Sequence, residues 1–148
     1  MTFDVIAGPG TEIEEPDWEF LLPERPDGLQ GELRAAAHRE WTRIIAELRD
    51  AQTLAAVNHH TVQRLVLAYL RYDLAAAEVM RQGAIVPSPR TQVPMLNLWQ
   101  VEMRQADADA TSAEMELCLN PRRRGSATKA QRKQKRATAA DGYLKRGA

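Results

Sequence analysis

Apolar residues recur at steps of three and four along three stretches of this chain, and this spacing favours a helical fold over any other. The first stretch follows Gly28, and charged residues fill the positions between its apolar ones. This arrangement predicts an amphipathic helix over residues 30–50. Its apolar face consists of Leu33, Ala37, Trp41, Ile44, Ile45 and Leu48.

The second stretch predicts a helix that begins near Asn58 and ends at Gly83, two residue types that favour helix starts and ends respectively. The connection from Thr53 to Val57 is short, so we expect the first two helices to pack antiparallel as a hairpin. The apolar face of the second helix consists of Val62, Leu65, Val66, Tyr69, Tyr72, Ala76, Val79 and Met80.

Residues 84–95 contain three prolines, which exclude a helix there. Ile85 and Val86 allow at most a short edge strand, near residues 84–90. A third helix is predicted from Leu96 to Leu117. The predicted fold is therefore all-α, with a three-helix core made of a helical hairpin and a long third helix. The inward face of this third helix consists of Leu96, Trp99, Met103, Ala106, Ala110, Ala113 and Leu117.

The formal net charge is zero, but the charges are segregated along the chain. Residues 1–28 carry −7, residues 29–119 carry −2 and residues 120–148 carry +9. Together with the proline-rich start, this predicts an acidic flexible arm over 1–28, a helical oligomerisation core over 29–119 and a basic tail over 120–148. The apolar cluster of the arm, from Trp18 to Leu22, either docks on a neighbouring molecule or rests on the chain's own core.

No catalytic or metal-binding pattern is present in the sequence. It contains neither a Gly-Lys-Ser/Thr phosphate loop nor a Gly-x-Gly-x-x-Gly motif. Cys118 is the single cysteine, which excludes an intramolecular disulfide and a cysteine-based zinc site. His59 and His60 are adjacent and point about 100° apart on a helix, which does not suit a shared metal. We therefore expect no enzymatic activity, no cofactor and no metal.

Targeting features are also missing. The longest stretch without charged residues is too short and too polar to span a bilayer, and the first residues lack the basic and apolar regions of a secretory signal. A soluble intracellular protein is expected.

The basic tail is the strongest signal for a ligand. Its single aromatic residue, Tyr143, lies outside the charged run from Arg122 to Arg136, and such a run fits contacts to the phosphates of duplex DNA better than base stacking. A solvated charged tail is the alternative, in which case DNA contact would fall to Arg34, Arg43, Arg64 and Arg71 of the core. The candidate DNA-binding residues of the tail are Arg122, Arg123, Arg124, Lys129, Arg132, Lys133, Lys135 and Arg136.

Four large aromatic residues lie on the apolar faces of three thin helices. They are either core residues or subunit contacts, because such a bundle leaves apolar area uncovered. We expect Trp41, Tyr69, Tyr72 and Trp99 to stay partly uncovered in a monomer. The residues predicted to form an oligomer interface are Trp41, Leu48, Tyr69, Tyr72, Trp99 and Met103.

Several of these features, in this order, resemble the small subunit of tailed-phage terminases over about residues 35–130. The first helix carries Trp41-x-x-Ile44, and the third helix is followed by the run from Leu117 to Pro121 and three arginines. That run resembles the family's C-terminal signature Leu-Gly-Leu-Thr-Pro-x-x-Arg, with Arg124 at its arginine. Two departures are that Cys118 stands in place of the signature glycine, and that Val93-Pro94 stands where the family tends to have Asn-Pro.

The resemblance implies a non-enzymatic component of a genome-packaging motor of a tailed phage or prophage, acting in the host cytoplasm. It implies a homo-oligomeric ring that binds double-stranded viral DNA and recruits or regulates the large terminase subunit, which carries the ATPase and nuclease activities. Relatives often bind DNA through an N-terminal helix-turn-helix, which the acidic arm does not predict here. A head–tail adaptor or scaffold-type virion protein and a helical DNA-binding regulator are the alternative functions.

Overall fold

The computed structural model describes residues 12–120, and they are mostly helical, as predicted. A single helical turn, α1 (Trp18–Leu21), precedes the long helices α2 (Gln30–Asp50) and α3 (His59–Gln82). A 3-10 turn (Ala56–Asn58) leads into α3. Two short strands, β1 (Ile85–Pro87) and β2 (Pro94–Leu96), then connect α3 to α4 (Leu98–Glu116).

Helix α2 buries the face that its periodicity predicts. All six apolar residues of that face are less than a tenth exposed, and Ile44 and Leu48 are almost fully enclosed. At the end of α2, Gln52 adopts a positive φ of 56°, and the Thr53 amide donates to the Leu48 carbonyl at 2.9 Å. Helix α2 therefore ends in a tight turn, and the connection that follows is short, as expected.

Helix α3 is buried only in part along the face that was predicted. Val62, Leu65 and Val66 are inaccessible to solvent, but Met80 is 87% exposed. Ala68 and Leu70, which lie outside the predicted face, are buried because α3 packs against both α2 and α4. The last buried residue is Ala75, so the final two turns of α3 contribute no fully buried residue.

The segment after α3 forms an antiparallel two-stranded ribbon, where the sequence predicted at most one short strand. Val86 pairs with Met95, and Pro87 faces Pro94. Bonds from the Ser88 amide to the Val93 carbonyl and from the Asn97 amide to the Ala84 carbonyl, both 2.9 Å, flank the ladder. The second strand was missed because Pro94 normally argues against a strand.

Helix α4 begins at Leu98, two residues later than predicted, because Asn97 caps it. The Asn97 side chain accepts from the Trp99 amide at 3.0 Å and donates to the Gly83 carbonyl at 2.8 Å. Leu96 therefore belongs to β2 and is 45% exposed, so its predicted inward orientation in the helix is wrong.

The second half of α4 packs on α3 through small residues. Ala106, Ala110 and Ala113 are buried, and Leu117 closes this contact. Alanines allow the two helix backbones to approach closely, as the Ala-rich face predicts. After Leu117, Cys118 takes a φ of 56°, the left-handed region that favours glycine.

Candidate subunit-contact and DNA-binding residues

Two of the six predicted interface residues lie inside the chain. Trp41 is 4% exposed and Leu48 is fully buried, so the expectation that Trp41 stays partly uncovered is wrong. Tyr69 and Met103 are partly buried, whereas Tyr72 and Trp99 are 37% and 40% exposed. Tyr69, Tyr72, Trp99 and Met103 remain candidates for subunit contacts, and that role stays a prediction.

Trp41 is covered by the N-terminal arm. The ring of Trp18 packs edge-on against Trp41 with centroids 6.1 Å apart, and on the other side His59 lies 5.6 Å from Trp41. The arm's apolar cluster thus rests on the chain's own core through Trp18, one of the two alternatives that the sequence leaves open. Phe20, from the same cluster, is 81% exposed.

Polar contacts hold this arm segment on α2. Asp17 caps α1 by accepting from the Glu19 amide at 2.9 Å. The Glu15 carboxylate accepts from the indole of Trp18 and meets the His38 ring nitrogen at 2.9 Å. Asp17 followed by an apolar cluster is the sequence signal that could have identified this docked turn.

Tyr69 joins three helices. Its hydroxyl donates to Glu114 of α4 at 2.6 Å, and the Arg43 guanidinium of α2 lies 5.8 Å from its ring centroid. Burial, together with the Glu114 carboxylate, raises the pKa of the Tyr69 phenol above its ordinary value. The phenol therefore serves contacts within the chain, and only part of its ring reaches the surface.

A shallow groove of about 400 Å³ runs between α3 and α4, and the arginines that line it are paired. Arg71 contacts Glu102 at 2.7 Å and Asp109 at 2.9 Å, and Arg64 contacts Glu116 at 3.0 Å. The Gln105 amide and the Arg71 guanidinium lower the pKa of Asp109, which keeps that carboxylate ionised. The groove is therefore a poor site for a phosphate.

The other core arginines named as alternative DNA contacts are engaged as well. Arg43 pairs with Glu40 at 2.6 Å and with Glu47 at 2.9 Å, and Arg34 donates to the Leu22 carbonyl at 2.9 Å. The eight candidate DNA-binding residues, from Arg122 to Arg136, lie outside the described residues. These four core arginines therefore offer little unpaired positive charge to DNA.

Between residues 12 and 120, no cluster of three or more His, Cys, Asp or Glu side chains could hold a metal ion. None of the helices in that range is long and apolar enough to cross a membrane.

A comparison with known protein families identifies the family of this chain. The model of a family described as phage terminase, small subunit, matches residues 37–134, about two thirds of the chain. This chain belongs to the phage terminase small-subunit family. Searches of curated proteins and of solved structures gave no match.

The small-subunit match covers most of α2, both later helices, the ribbon and the first part of the basic tail. Six of the eight candidate DNA-binding residues fall inside it, whereas Lys135 and Arg136 do not. The arm, including Trp18, precedes the match. Trp18, which packs on Trp41, therefore lies outside the matched residues.

Proposed function

We propose that this chain is the small subunit of a packaging terminase in a tailed phage or prophage. It binds double-stranded viral DNA and recruits or regulates the large subunit, which supplies the ATPase and nuclease activities in the host cytoplasm. The observation that carries the proposal is the family match, because it covers the helical core together with most of the basic segment. The chain itself acts without catalysis and without a cofactor.

DNA contact is assigned to the basic tail. Eight bases lie between Arg122 and Arg136 with no acidic residue among them, a density that suits the phosphates of a duplex. Support comes from the core, where Arg43, Arg64 and Arg71 are all paired with carboxylates. Phosphate contacts of this kind position DNA without reading its sequence.

Assembly of several copies into a ring completes the proposal. A ring multiplies weak phosphate contacts, because each further tail binds DNA that is already held close. The core residues that remain partly accessible for such contacts are Tyr69, Tyr72, Trp99 and Met103.

The test is DNA affinity measured as a function of salt, together with stimulation of the large subunit's ATPase. If six to eight bases per subunit engage phosphates, log affinity should fall against log salt with a slope of about −5 to −7. A variant with five tail bases replaced by Ala should flatten that slope by about 4 and keep its assembly state. The five are Lys129, Arg132, Lys133, Lys135 and Arg136.

A matched control removes the same charge from the helical region by replacing five exposed arginines with Ala. This control should keep nearly the wild-type slope. Equal slopes in the wild type and the tail variant would contradict the assignment of DNA contact to the tail. Failure of the wild type to stimulate the large subunit would contradict the proposed role. The control residues are Arg39, Arg49, Arg81, Arg90 and Arg104.

A further inference from the structure

The end of the α3–α4 hairpin lacks an interior of its own. We call residues 76–105 the tip: the last turns of α3, the β ribbon and the first turns of α4. The one buried residue in this range is Asn97, which is used to cap α4. Yet the apolar periodicity of α3 continues through Val79 and Met80, beyond the last buried residue, Ala75. On this continuing apolar face Val79 is only partly covered, and Met80 is 87% exposed.

The exposed apolar surface of the tip, summed over both faces of the ribbon, approaches the area that one side of a stable interface buries. Seven large apolar side chains of the tip are between 40% and 87% exposed. At roughly 150–200 Å² for each fully exposed side chain, they present about 600–800 Å². A typical monomer exposes at most about 300–600 Å² in one apolar patch, and one partner of a standard interface buries about 800 Å². The seven are Met80, Ile85, Val93, Leu96, Leu98, Trp99 and Val101.

The charge of the tip argues against nucleic acid and against a charged peptide as its partner. From Gly83 to Val101 the single charged residue is Arg90. At the two margins, Arg81 pairs with Glu78 at 2.6 Å, and Glu102 pairs with Arg71. With three arginines against two glutamates, residues 76–105 carry a net charge of only +1, so the tip is complementary to another weakly charged apolar surface, and the tip of a second copy is one.

The ribbon meets its partner through side chains, not by adding a strand. The backbone groups of Val86 and Met95 point towards each other across the ribbon. Because this direction alternates along an antiparallel pair, the backbone groups of Pro87 and Pro94 point to the outer edges. Neither proline has an amide hydrogen, so each edge offers a single outward donor, at Ile85 or Leu96. The apolar residues, in contrast, are exposed on both faces of the ribbon.

We propose that neighbouring copies of this chain contact one another through their tips. This inference rests on the part of the proposed function in which several copies assemble. Of the tip residues, the half-exposed Trp99 was already predicted from the sequence to lie in an interface. The proposal adds four more exposed residues that the sequence did not single out, which are Met80, Ile85, Leu98 and Val101.

The experiment uses the full chain and two charge-introducing variants. Met80→Glu with Leu98→Glu places two carboxylates in the tip, and Phe20→Glu with Val57→Glu places two at equally exposed positions outside it. Sedimentation velocity over a range of concentrations gives the assembly state. The tip variant should weaken subunit association by at least about tenfold, because buried carboxylates face one another in the contact. The control variant should assemble as the wild type does.

A second measurement needs no substitution. A lone two-stranded ribbon is marginally stable, so hydrogen exchange at the Val86 and Met95 amides of the wild type should slow as protein concentration rises. Concentration-independent exchange there would overturn the proposal, even if the variants fail to fold.

The remaining outcomes distinguish a failure of the tip contact from a failure of the proposed function. A wild type that stays monomeric, or a tip variant that assembles normally, overturns the proposal. If the tip variant assembles normally but no longer stimulates the large subunit, the tip binds that subunit instead and the proposed function stands. Weakened assembly supports the tip contact even if the wild type neither binds DNA nor stimulates the ATPase, a result that would remove the proposed function alone.

Discussion

Cys118 occupies a backbone conformation that suits glycine. It follows the end of α4 and has a φ of 56°, where a Cβ atom crowds the neighbouring carbonyl. The resemblance to terminase small subunits aligns this position with the glycine of the signature. The backbone conformation supports that alignment, and it explains why a glycine would be favoured there.

Cys118→Gly should therefore stabilise the chain. Relief of the left-handed strain, about 1–2 kcal/mol, exceeds the added flexibility of the unfolded chain, so we expect a net gain of about 0.5–1 kcal/mol. Thermal unfolding should shift upward by about 2–4 °C. Cys118→Ala removes the thiol but keeps the Cβ atom and should bring no gain. Equal stabilisation by both substitutions would mean that the thiol, not the backbone, was the cause.

Tyr69 should make stability fall at alkaline pH. Its phenol has a raised pKa in the folded chain, so above pH 10, its ordinary pKa, the unfolded chain binds fewer protons than the folded one. Stability contributed by the protonated phenol is therefore fully present below pH 10 and decreases as pH rises above it. Denaturant unfolding of the wild type and Tyr69→Phe between pH 8 and 11 measures this difference.

Tyr69→Phe should be less stable than the wild type by about 1 kcal/mol at pH 8, because Glu114 loses its hydroxyl donor. The difference should narrow above pH 10. Glu114→Gln keeps an acceptor and should retain most of the alkaline decline, since burial is the larger cause of the raised pKa. Parallel curves for the wild type and Tyr69→Phe would contradict this account.

At the scale of elements, α1 protects the core residue Trp41. Trp18 is 7% exposed and packs on Trp41, so Trp18→Ala should destabilise the chain by about 3 kcal/mol. Phe20→Ala alters the same helical turn at an exposed side chain and should change stability by less than about 0.5 kcal/mol. Urea unfolding of the two variants measures both values, and equal effects would show that Trp18 is not the residue that anchors the arm.

The helices also show which buried residues a sequence pattern can predict. The face of α2 is predicted completely because its apolar side meets other parts of the same chain along its whole length. Periodicity alone could not show that α3 packs on two helices, which buries Ala68 and Leu70, nor that its last turns have no fully buried residue. The burial of Trp41 was missed because its cover comes from Trp18, 23 positions away in a proline-rich segment whose pattern predicts no docked helix.

At the scale of the whole molecule, we expect the acidic arm to oppose DNA binding by the basic tail. Structure within the arm refines this prediction, because three of its acids have local roles: Glu15 contacts Trp18 and His38, Asp17 caps α1, and Asp27 pairs with Arg25. The remaining acids of the described arm are exposed. They can compete with DNA phosphates for the basic tail. These exposed acids are Glu12, Glu14, Glu19 and Glu24.

Replacing these four arm acids with Gln should tighten non-specific DNA binding at low salt by about three- to tenfold. A control that neutralises four exposed acids of the helical region should have a smaller effect, although its net charge changes equally. DNA titrations monitored by fluorescence anisotropy measure both. An equal gain in DNA affinity from the two variants would mean that only the total charge matters and that the position of the arm acids does not. The control positions are Glu32, Asp50, Asp73 and Asp107.

The two prolines at the outer edges of the ribbon have a consequence for a chain that has not yet assembled. Short apolar strands with free edges are templates on which further chains stack into fibrils, and newly made copies of this chain carry such strands in the open. Pro87 and Pro94 each remove one outward amide and leave a single donor on each edge, which weakens the pairing of an added strand. The prolines therefore make an unassembled chain less prone to add strands at the ribbon before it meets its partners.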